Sequence, residues 1–336
     1  MNLLPAHLGA LFMAGVPGLE LDSSTRQLIT DYGVHHFILF RRNVESEKQL
    51  ARLSRDLVAC CRQQGLGPCL ISIDQEGGTV ARLPEPFAQF SDARFYGEAL
   101  HARQDLLEYA RLCSRDLNSI GVNMNFAPVL DVCPRGQGCF MERRSLGADP
   151  VRVGELGALL IEAFQGNGIA ACAKHFPGLG EAVIDPHLQL PVVTDSRQKI
   201  MECDLLPFQA AIRAGVAAIM TSHVIYEHID PHTLATFSAP ILTDLLRRDL
   251  GYEGLVVTDD LEMGAVENDM GVPEAAVRAV QAGADLLLIC HDHAKVREAI
   301  ARLYQACLGG QVTKERLCQS FLRINKVSAC FLRKGD

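Results

Sequence analysis

Two basic residues and a nearby aspartate–histidine pair are the side chains of this sequence best suited to chemistry. Lys174 and His175 end an apolar run and open a loop rich in Gly and Pro, and Asp185 and His187 lie further along that loop. A carboxylate two residues from an imidazole can orient one ring nitrogen and stabilise the imidazolium form, which gives an acid/base group that titrates near neutral pH. Pro186 between them narrows the backbone geometry. The pair alone is also compatible with a solvated surface turn, and the preceding Lys-His favours a catalytic loop.

A second reactive group is predicted at Asp259, where another apolar run ends. Val256 and Val257 bring this carboxylate to the end of the run, where it could serve as a nucleophile, a base or a metal ligand. Asp260 could equally cap a following helix. With Asp259 attacking and His187 transferring the proton, a double-displacement hydrolysis is chemically reasonable. A metal site is not expected, because no His/Asp pair has ligand spacing on a single element.

Ionisable residues also follow other apolar runs of the chain. Examples are Asp74, Arg82, Asp131, Arg144 and His223. Taken singly, each has a structural explanation, because an aspartate can cap a helix, an arginine can pair with a surface acid and a histidine can be satisfied in the core. Because ionisable residues occur at the ends of five apolar runs, one common functional edge is the better interpretation.

Short apolar runs alternate with amphipathic stretches along the whole chain. The runs predict eight strands, at 8–14, 35–40, 69–74, 123–132, 169–175, 217–223, 254–259 and 284–290. The amphipathic stretches predict helices at 47–61, 104–120, 150–165, 198–214, 239–249, 273–282, 294–308 and 314–332. Gly121, Gly168, Gly215 and Gly283 close four of the helices just before the next strand.

This alternation, with no Pro/Ser-rich linker, predicts an α/β fold, a single (β/α)8 TIM-type barrel over residues 1–336 with a C-terminal helix at about 314–332. The alternative is a doubly wound open sheet, which is disfavoured because no GxGxxG follows the first strand. In a barrel, the site must lie at the carboxyl ends of the strands. That edge is where the ionisable residues of this sequence fall.

The composition is that of an ordinary soluble chain. It has 48% hydrophobic and 21% charged residues, a net charge of −8 and a pI near 5.8. Without a basic cluster interleaved with aromatics, neither nucleic acid nor an anionic membrane is an expected partner, and we expect a cytoplasmic protein. The twelve cysteines predict buried free thiols in a reducing compartment. A reversible disulfide between Cys133 and Cys139, which share one loop, stays open as an alternative.

In combination, these motifs resemble glycoside hydrolase family 3, in particular its β-N-acetylglucosaminidases. The resemblance rests on segments 73–78 with Arg82, 125–131, 174–180 with 185–187, 220–223 and 258–261. They occur in the same order as in the family and cover nearly the whole chain.

The resemblance implies a retaining exo-β-N-acetylhexosaminidase that removes terminal β-linked N-acetylglucosamine. Asp259 would be the nucleophile, and His187, oriented by Asp185, would be the acid/base. This histidine departs from the usual pair of carboxylates. Residues that match the sugar-binding positions of the family are Asp74, Arg82, Arg144, Lys174, His175 and His223. No cofactor and no metal is implied.

Two positions depart from the common pattern of the family. Leu179 stands where most members have His, and Pro186 stands where they have Ser, so the loop and the pocket rim are expected to differ. The single-domain members resembled here act in the cytoplasm in peptidoglycan recycling, on anhydro-muropeptides. We therefore expect a small carbohydrate or muropeptide as substrate, and a monomer.

Other functions stay open at this point. Some relatives that use the Asp-His pair are phosphorylases, and other members of the wider family are β-glucosidases. A Schiff-base aldolase with Lys174 as the amine fits a barrel, although Asp259 and the Asp185/His187 pair would then have no role. A non-catalytic sugar-binding barrel is a further alternative, which the intact Asp259 and His187 argue against.

Overall fold

A ring of parallel strands forms the centre of the protein. The computed structural model describes residues 5–136, 138–179 and 191–332. The strands of the ring are β1 (Phe12–Gly15), β2 (His36–Leu39), β3 (Ile71–Ile73), β4 (Met124–Asn125), β5 (Ala170–Phe176), β6 (Ala218–Thr221), β7 (Leu255–Val257) and β8 (Leu287–Ile289). From β1 to β7, each strand pairs in parallel with the next one in sequence, and β8 pairs in parallel with β1. A bridge from Val257 to Leu286 joins β7 to the start of β8 and closes the ring. The predicted α/β barrel is confirmed.

A helix follows each strand on the outside of the ring. These helices are α1 (Ser23–Tyr32), α2 (Glu47–Gln63), α3 (Ala102–Ser119), α4 (Pro150–Gly166), α5 (Leu205–Arg213), α6 (Pro240–Asp249), α7 (Val272–Ala282) and α8 (His293–Leu308), and α9 (Lys314–Cys330) comes last. Shorter helical segments lie at Pro5–Leu8, Gly9–Leu11, Arg41–Asn43, Ala93–Glu98, Arg197–Lys199, Ile200–Asp204, Ala235–Phe237 and Gly264–Glu267.

Helix α2 shows how local sequence produces this layer. The side chain of Ser46 accepts a hydrogen bond from the main-chain N–H of Gln49 and so caps the first turn. Leu50, Leu53 and Leu57 recur at helical spacing and are buried, which gives one apolar stripe against the barrel. The strands are different, because β1, β2 and β5 are buried along their whole length. A parallel sheet covered on both faces requires this.

Several predicted boundaries were wrong. The strand predicted at 8–14 begins only at Phe12, because residues 5–11 form two short helical segments. The strand predicted at 123–132 is regular only over Met124–Asn125. Pro128 has no N–H to donate and interrupts the ladder, although Leu130 still donates to the carbonyl of Lys174 at 2.7 Å. Helix α1 was not predicted, because its exposed face is rich in polar residues.

Two small sheets lie in the loops at the carboxyl ends of the strands. After β3, residues Gln75–Gly77 pair antiparallel with Val80–Ala81. The second sheet combines Val192–Val193, Ile225–Tyr226 and Asp230–Leu234. Both belong to the loop layer that surrounds the mouth of the barrel, where the predicted site residues also lie.

A buried ion cluster closes the opposite end of the barrel. Asp285 precedes β8, and its carboxylate is fully buried. It accepts from Arg247 at 2.6 Å, Arg316 at 2.8 Å and Arg323 at 3.2 Å, and also from the hydroxyl of Ser320 at 2.9 Å. Three of these partners lie on α9, so this cluster ties the last helix to the base of the barrel.

The cysteines and the glycines partly follow the sequence predictions. All twelve cysteines are free. Most are buried, but Cys318 and Cys330 are exposed, which corrects the prediction of uniformly buried thiols. The glycines that close helices at 121, 168, 215 and 283 all have positive φ, a conformation that favours glycine. No helix of the described residues is long and apolar enough to cross a membrane.

Candidate active site

A cavity of about 890 Å³ opens at the carboxyl ends of the barrel strands. Its volume is within the usual range of small-molecule sites. Six of the predicted site residues line it: Asp74, Arg82, Arg144, Lys174, His175 and Asp259. The structure therefore brings together residues that are far apart in sequence, from the end of β5 and from the loops that follow β3, β4 and β7.

Five charged side chains on one side of this cavity form a continuous network. The Lys174 ammonium lies 3.0 Å from a carboxylate oxygen of Asp74 and 2.6 Å from one of Glu76. Arg82 pairs with the other oxygen of Asp74 at 3.1 Å. Arg144 binds Glu76 through two hydrogen bonds, of 2.9 and 2.8 Å. Each side chain is thus held by its neighbours before any ligand binds, which reduces the ordering that binding would require.

The network fixes the ionisation of its members. Burial by itself would raise the pKa of Glu76, but Lys174 and Arg144 outweigh it and hold that pKa at about 2. Lys174 and Arg82 likewise outweigh burial and lower the pKa of Asp74. Burial would lower the pKa of Lys174, yet Asp74 and Glu76 raise it. Near neutral pH, this side of the cavity therefore carries two carboxylates and their cationic partners, all suited to sugar hydroxyl groups.

His175 is oriented by a buried aspartate. Its Nδ1 lies 2.8 Å from the carboxylate of Asp131, which is fully buried. The other oxygen of Asp131 accepts from the main-chain N–H of Leu179 at 2.8 Å. Because the carboxylate accepts, Nδ1 carries a proton, and Nε2 is the ring nitrogen left for other contacts. The Lys174–His175 peptide bond is cis. Leu179, where the family usually has His, contributes here through its main chain.

Asp259 lies just after β7, in a turn that its neighbour stabilises. The main-chain N–H of Asp260 donates to a carboxylate oxygen of Asp259 at 2.8 Å. The side chain of Asp260 accepts from the main-chain N–H groups of Glu262 at 3.1 Å and Cys290 at 3.3 Å. Burial, reinforced by Glu262 and Asp259, raises the pKa of Asp260 to about 7. The turn therefore presents two adjacent carboxyl groups to the cavity, in different electrostatic environments.

The position of His223 differs from the expectation that this residue lines the pocket. In the described part of the chain, it lies outside the cavity lining and is only 1% exposed. Its Nε2 donates to the main-chain carbonyl of Asp260 at 3.0 Å, and its Nδ1 pairs with the hydroxyl of Thr236 at 2.8 Å. Burial lowers its pKa. His223 supports the turn that carries Asp259 and has no nitrogen left for a sugar.

The acid/base pair predicted from the sequence, Asp185 and His187, lies outside the described residues, as does Pro186. Its role stays a prediction.

Sequence reasoning missed the functional relevance of the turn after β8. His291 lines the cavity beside Phe40 and Glu262. The available signal was the His291-Asp292-His293 triplet directly after the last strand, a position equivalent to those of the residues that were singled out. Glu76 belongs to the motif at 73–78 but was not predicted as a site residue, because its partners Lys174 and Arg144 are distant in sequence.

Within residues 5–136, 138–179 and 191–332, no group of three or more His, Cys, Asp or Glu side chains is placed to hold a metal ion. The charged groups of the cavity instead pair with one another. What this arrangement suits is a polar, hydroxyl-rich molecule beside a carboxylate that is free to attack.

Comparison with known proteins gives a consistent result. The model of the glycosyl hydrolase family 3 N-terminal domain matches residues 4–327. A beta-hexosaminidase of Thiobacillus denitrificans is 36% identical over 301 residues, which cover 88% of this chain and 82% of that protein. Beta-hexosaminidase A of Pseudoalteromonas piscicida is 33% identical over 329 residues, 91% of this chain, but the match covers only 55% of its own length.

Among solved structures, a family 3 beta-N-acetylglucosaminidase from Paenibacillus sp. superposes with a TM-score of 0.93 at 37% identity. The match covers 100% of this chain and 66% of that one. This chain thus spans about half to two thirds of the length of these two longer relatives.

Proposed function

The chain belongs to glycoside hydrolase family 3, and from this premise we propose that it is a retaining exo-β-N-acetylglucosaminidase. Two similar proteins are named beta-hexosaminidases, and a solved structure that resembles this one is a beta-N-acetylglucosaminidase. The observation that carries the proposal is the cavity in which Asp259 shares the lining with the preorganised network of Asp74, Arg82 and Lys174. Such a site can hold a sugar ring and attack it.

Asp259 is the proposed nucleophile. Its carboxylate attacks the anomeric carbon, the bond to the leaving group breaks, and a glycosyl ester of Asp259 forms with inverted configuration. Water then attacks the same carbon and releases Asp259 and the sugar, which restores the original configuration. The hydrogen bond from the N–H of Asp260 supports this role, because it fixes one oxygen of a carboxylate that lines the cavity.

His187 is the proposed acid/base, and Asp185 orients it. His187 gives its proton to the departing oxygen in the first step and takes one from the attacking water in the second. This assignment rests on the sequence and on the family, because both residues lie outside the described part of the chain.

Asp74, Arg82, Arg144, Lys174 and His175 are the proposed sugar-binding residues. Their support is that all five line the cavity and that each is already held in place by a protein partner. Charge-assisted hydrogen bonds to the hydroxyl groups would fix the ring and bring its anomeric carbon to Asp259.

The proposed natural substrates are anhydro-muropeptides of peptidoglycan recycling, from which the enzyme would remove N-acetylglucosamine. This finer assignment rests on the resemblance to family members that act in peptidoglycan recycling and not on a described contact. Purified anhydro-muropeptide and chitobiose, offered as competing substrates, would test it by their relative kcat/KM.

The first experiment measures nitrophenol release from the 4-nitrophenyl β-glycosides of N-acetylglucosamine and glucose, with and without phosphate. We expect turnover of the N-acetylglucosamine substrate, independent of phosphate. Asp259→Ala should lower kcat by about 10⁴-fold or more, whereas Asp249→Ala, at an exposed aspartate, should leave it unchanged. His187→Ala should reduce activity most on substrates with poor leaving groups, because nitrophenol needs little protonation.

Other results would change the assignment. Acceleration by phosphate, with a glycosyl phosphate as product, would identify a phosphorylase, and preference for the glucoside would identify a β-glucosidase. Substantial activity of Asp259→Ala would contradict the nucleophile assignment. No turnover at all would favour a sugar-binding protein.

A further inference from the structure

One wall of the cavity, on the side of β8 and β2, differs from the charged network. Its residues are Ile38, Phe40, Glu262, Met263, Leu288 and His291. We call them the β8 wall. They combine apolar surface with the polar groups of Glu262 and His291, and they adjoin the charged network, because Arg82 lies 5.6 Å from the centre of the Phe40 ring. The β8 wall and the network therefore suit different substituents of one sugar ring.

The ring of His291, in the β8 wall, is positioned by Phe40 and Arg42. Its ring stacks on Phe40, with centroids 5.6 Å apart and 28° between the planes. Arg42 lies over the same Phe40 ring at 4.4 Å and donates to Nδ1 of His291 at 3.2 Å. The Arg42 guanidinium is itself anchored to the carbonyls of Val16 at 2.9 Å and Cys290 at 2.5 Å. The imidazole is thus positioned by contacts from three neighbouring strand ends.

These contacts determine which nitrogen of His291 can donate. Arginine has no acceptor, so Nδ1 must accept from Arg42. Burial and Arg42 both lower the pKa of His291, and in the neutral ring the proton is then on Nε2. The carboxylate of Asp260 is 3.7 Å from Nε2, beyond hydrogen-bond distance. Within the described part of the chain, Nε2–H therefore has no close acceptor, and the side chain is 58% exposed.

A second histidine near this turn contrasts with His291. His223 is buried, and both of its nitrogens are engaged, by Asp260 and by Thr236. The two histidines thus approach Asp260 from the ends of β6 and β8. His223 has no donor to offer, whereas the Nε2–H of His291, which lines the cavity, has no hydrogen-bond acceptor among the described residues.

The β8 wall is also tied to the turn that carries the nucleophile. The carboxylate of Glu262 accepts from the main-chain N–H groups of His291 at 2.6 Å and Asp292 at 3.1 Å. Lys295 lies 3.5 Å from the same carboxylate. These hydrogen bonds therefore join the turn that carries Asp259 to the turn that carries His291.

We propose that the β8 wall recognises the acetamido group of the sugar, with His291 donating its Nε2–H to the acetamido carbonyl. The inference rests on the proposed function, since an acetamido sugar must be the ligand. In such a sugar, C2 is bonded to the carbon that Asp259 attacks, and β8 is the strand next to β7. Met263 and Leu288 provide apolar surface for the methyl group, and His291 provides the donor. A hydroxyl group would need only the donor.

The test compares two competitive inhibitors that differ only at C2, 1-deoxynojirimycin and its 2-acetamido-2-deoxy analogue. His291→Leu keeps bulk but removes the donor, and His291→Gln restores an N–H donor. We expect His291→Leu to raise the inhibition constant of the acetamido compound about fivefold to tenfold, the effect of one lost hydrogen bond. The constant for the hydroxyl compound should change less than twofold, and His291→Gln should recover part of the loss. His228→Leu, at an exposed histidine outside the described cavity lining, is the matched control.

Two results would overturn the inference. One is an equal loss for both inhibitors in His291→Leu, which would assign the residue a general structural role. The other is unchanged inhibition by both. The proposed function fails separately, if the wild-type protein does not hydrolyse the N-acetylglucosamine substrate.

Discussion

A buried ion cluster lies at each end of the barrel, and the two differ in what their charged groups face. At the mouth, Lys174 lies between Asp74 and Glu76, and Asp74 and Lys174 line the cavity. At the base, Asp285 is fully buried, and protein donors occupy both of its carboxylate oxygens. The same side-chain chemistry thus forms an open arrangement at one end and a closed one at the other.

The difference indicates how the barrel separates function from stability. The base cluster joins α6, β7 and α9 to one carboxylate, and both oxygens of that carboxylate accept hydrogen bonds from within the protein. The mouth cluster keeps charged groups at the cavity surface, with Arg82 29% exposed. Ligand contacts can be added there without breaking the ion pairs. We therefore expect substitutions at the base to affect unfolding and those at the mouth to affect catalysis.

Asp285→Ala should have the largest effect. It leaves three arginines close together without their carboxylate, and removing one partner of a buried ion pair costs about 3–5 kcal/mol. The free energy of unfolding from urea titration should fall by this amount, while kcat of the folded enzyme stays near wild type. Asp285→Asn, which keeps an acceptor oxygen, should lose less. If Asp285→Ala kept wild-type stability but had a reduced kcat, the assignment of the base cluster to stability would be wrong.

Lys174→Met should show the opposite behaviour. Each carboxylate of the mouth keeps an arginine, Asp74 with Arg82 and Glu76 with Arg144, so the loss of stability should be smaller than in Asp285→Ala. The lost cation should lower kcat/KM by about 10²- to 10³-fold. Steady-state kinetics and thermal unfolding measure the two effects, with Lys326→Met at an exposed lysine as control. Unchanged kcat/KM would remove Lys174 from the site.

Acid should weaken the mouth cluster by a smaller amount. The folded-state pKa of Glu76, about 2, lies below its ordinary value of 4.5. Its contribution to stability is therefore complete above pH 4.5 and is lost as the pH falls from 4.5 towards 2. Between pH 6 and pH 3, the loss from this group is about 2 kcal/mol. Urea unfolding at both pH values should show a smaller decrease in Glu76→Gln than in wild type. An equal decrease would show that other carboxylates account for the acid sensitivity.

Much of the fold could be predicted from local pattern. Strands β2, β3, β6, β7 and β8 lie within their predicted ranges, and β5 ends one residue later than predicted, because buried parallel strands are short apolar runs. Predictions failed where the local signal was mixed. Residues 5–11 are apolar but helical. Helix α1 was not predicted, because its exposed face is polar. Boundaries near Pro128 shifted because the missing N–H interrupts a strand that is otherwise apolar.

The residues of the candidate site also divide into those that the local sequence predicts and those that it does not. The positions of Asp74, Lys174 and Asp259 at the mouth could be predicted, because each lies within two residues of the end of a strand. His223 occupies an equivalent position but is turned away from the cavity by Thr236 and Asp260, a contact with no sequence signal. His291 was missed, although it also follows a strand, because its link to Arg42 depends on the closure of the ring between β8 and β1.

The sequence by itself determined the order of strands and helices and the set of residues at the carboxyl ends of the strands. The physical reason is that hydrophobic periodicity is local, and parallel strands bring all of their carboxyl ends to one edge. Only the tertiary structure decided which of those residues meet. Lys174 contacts Asp74 across 100 residues, and such a pairing depends on the position of one strand in the ring. The tertiary structure also decided that the ion pairs of Asp285 lie at the closed end of the barrel.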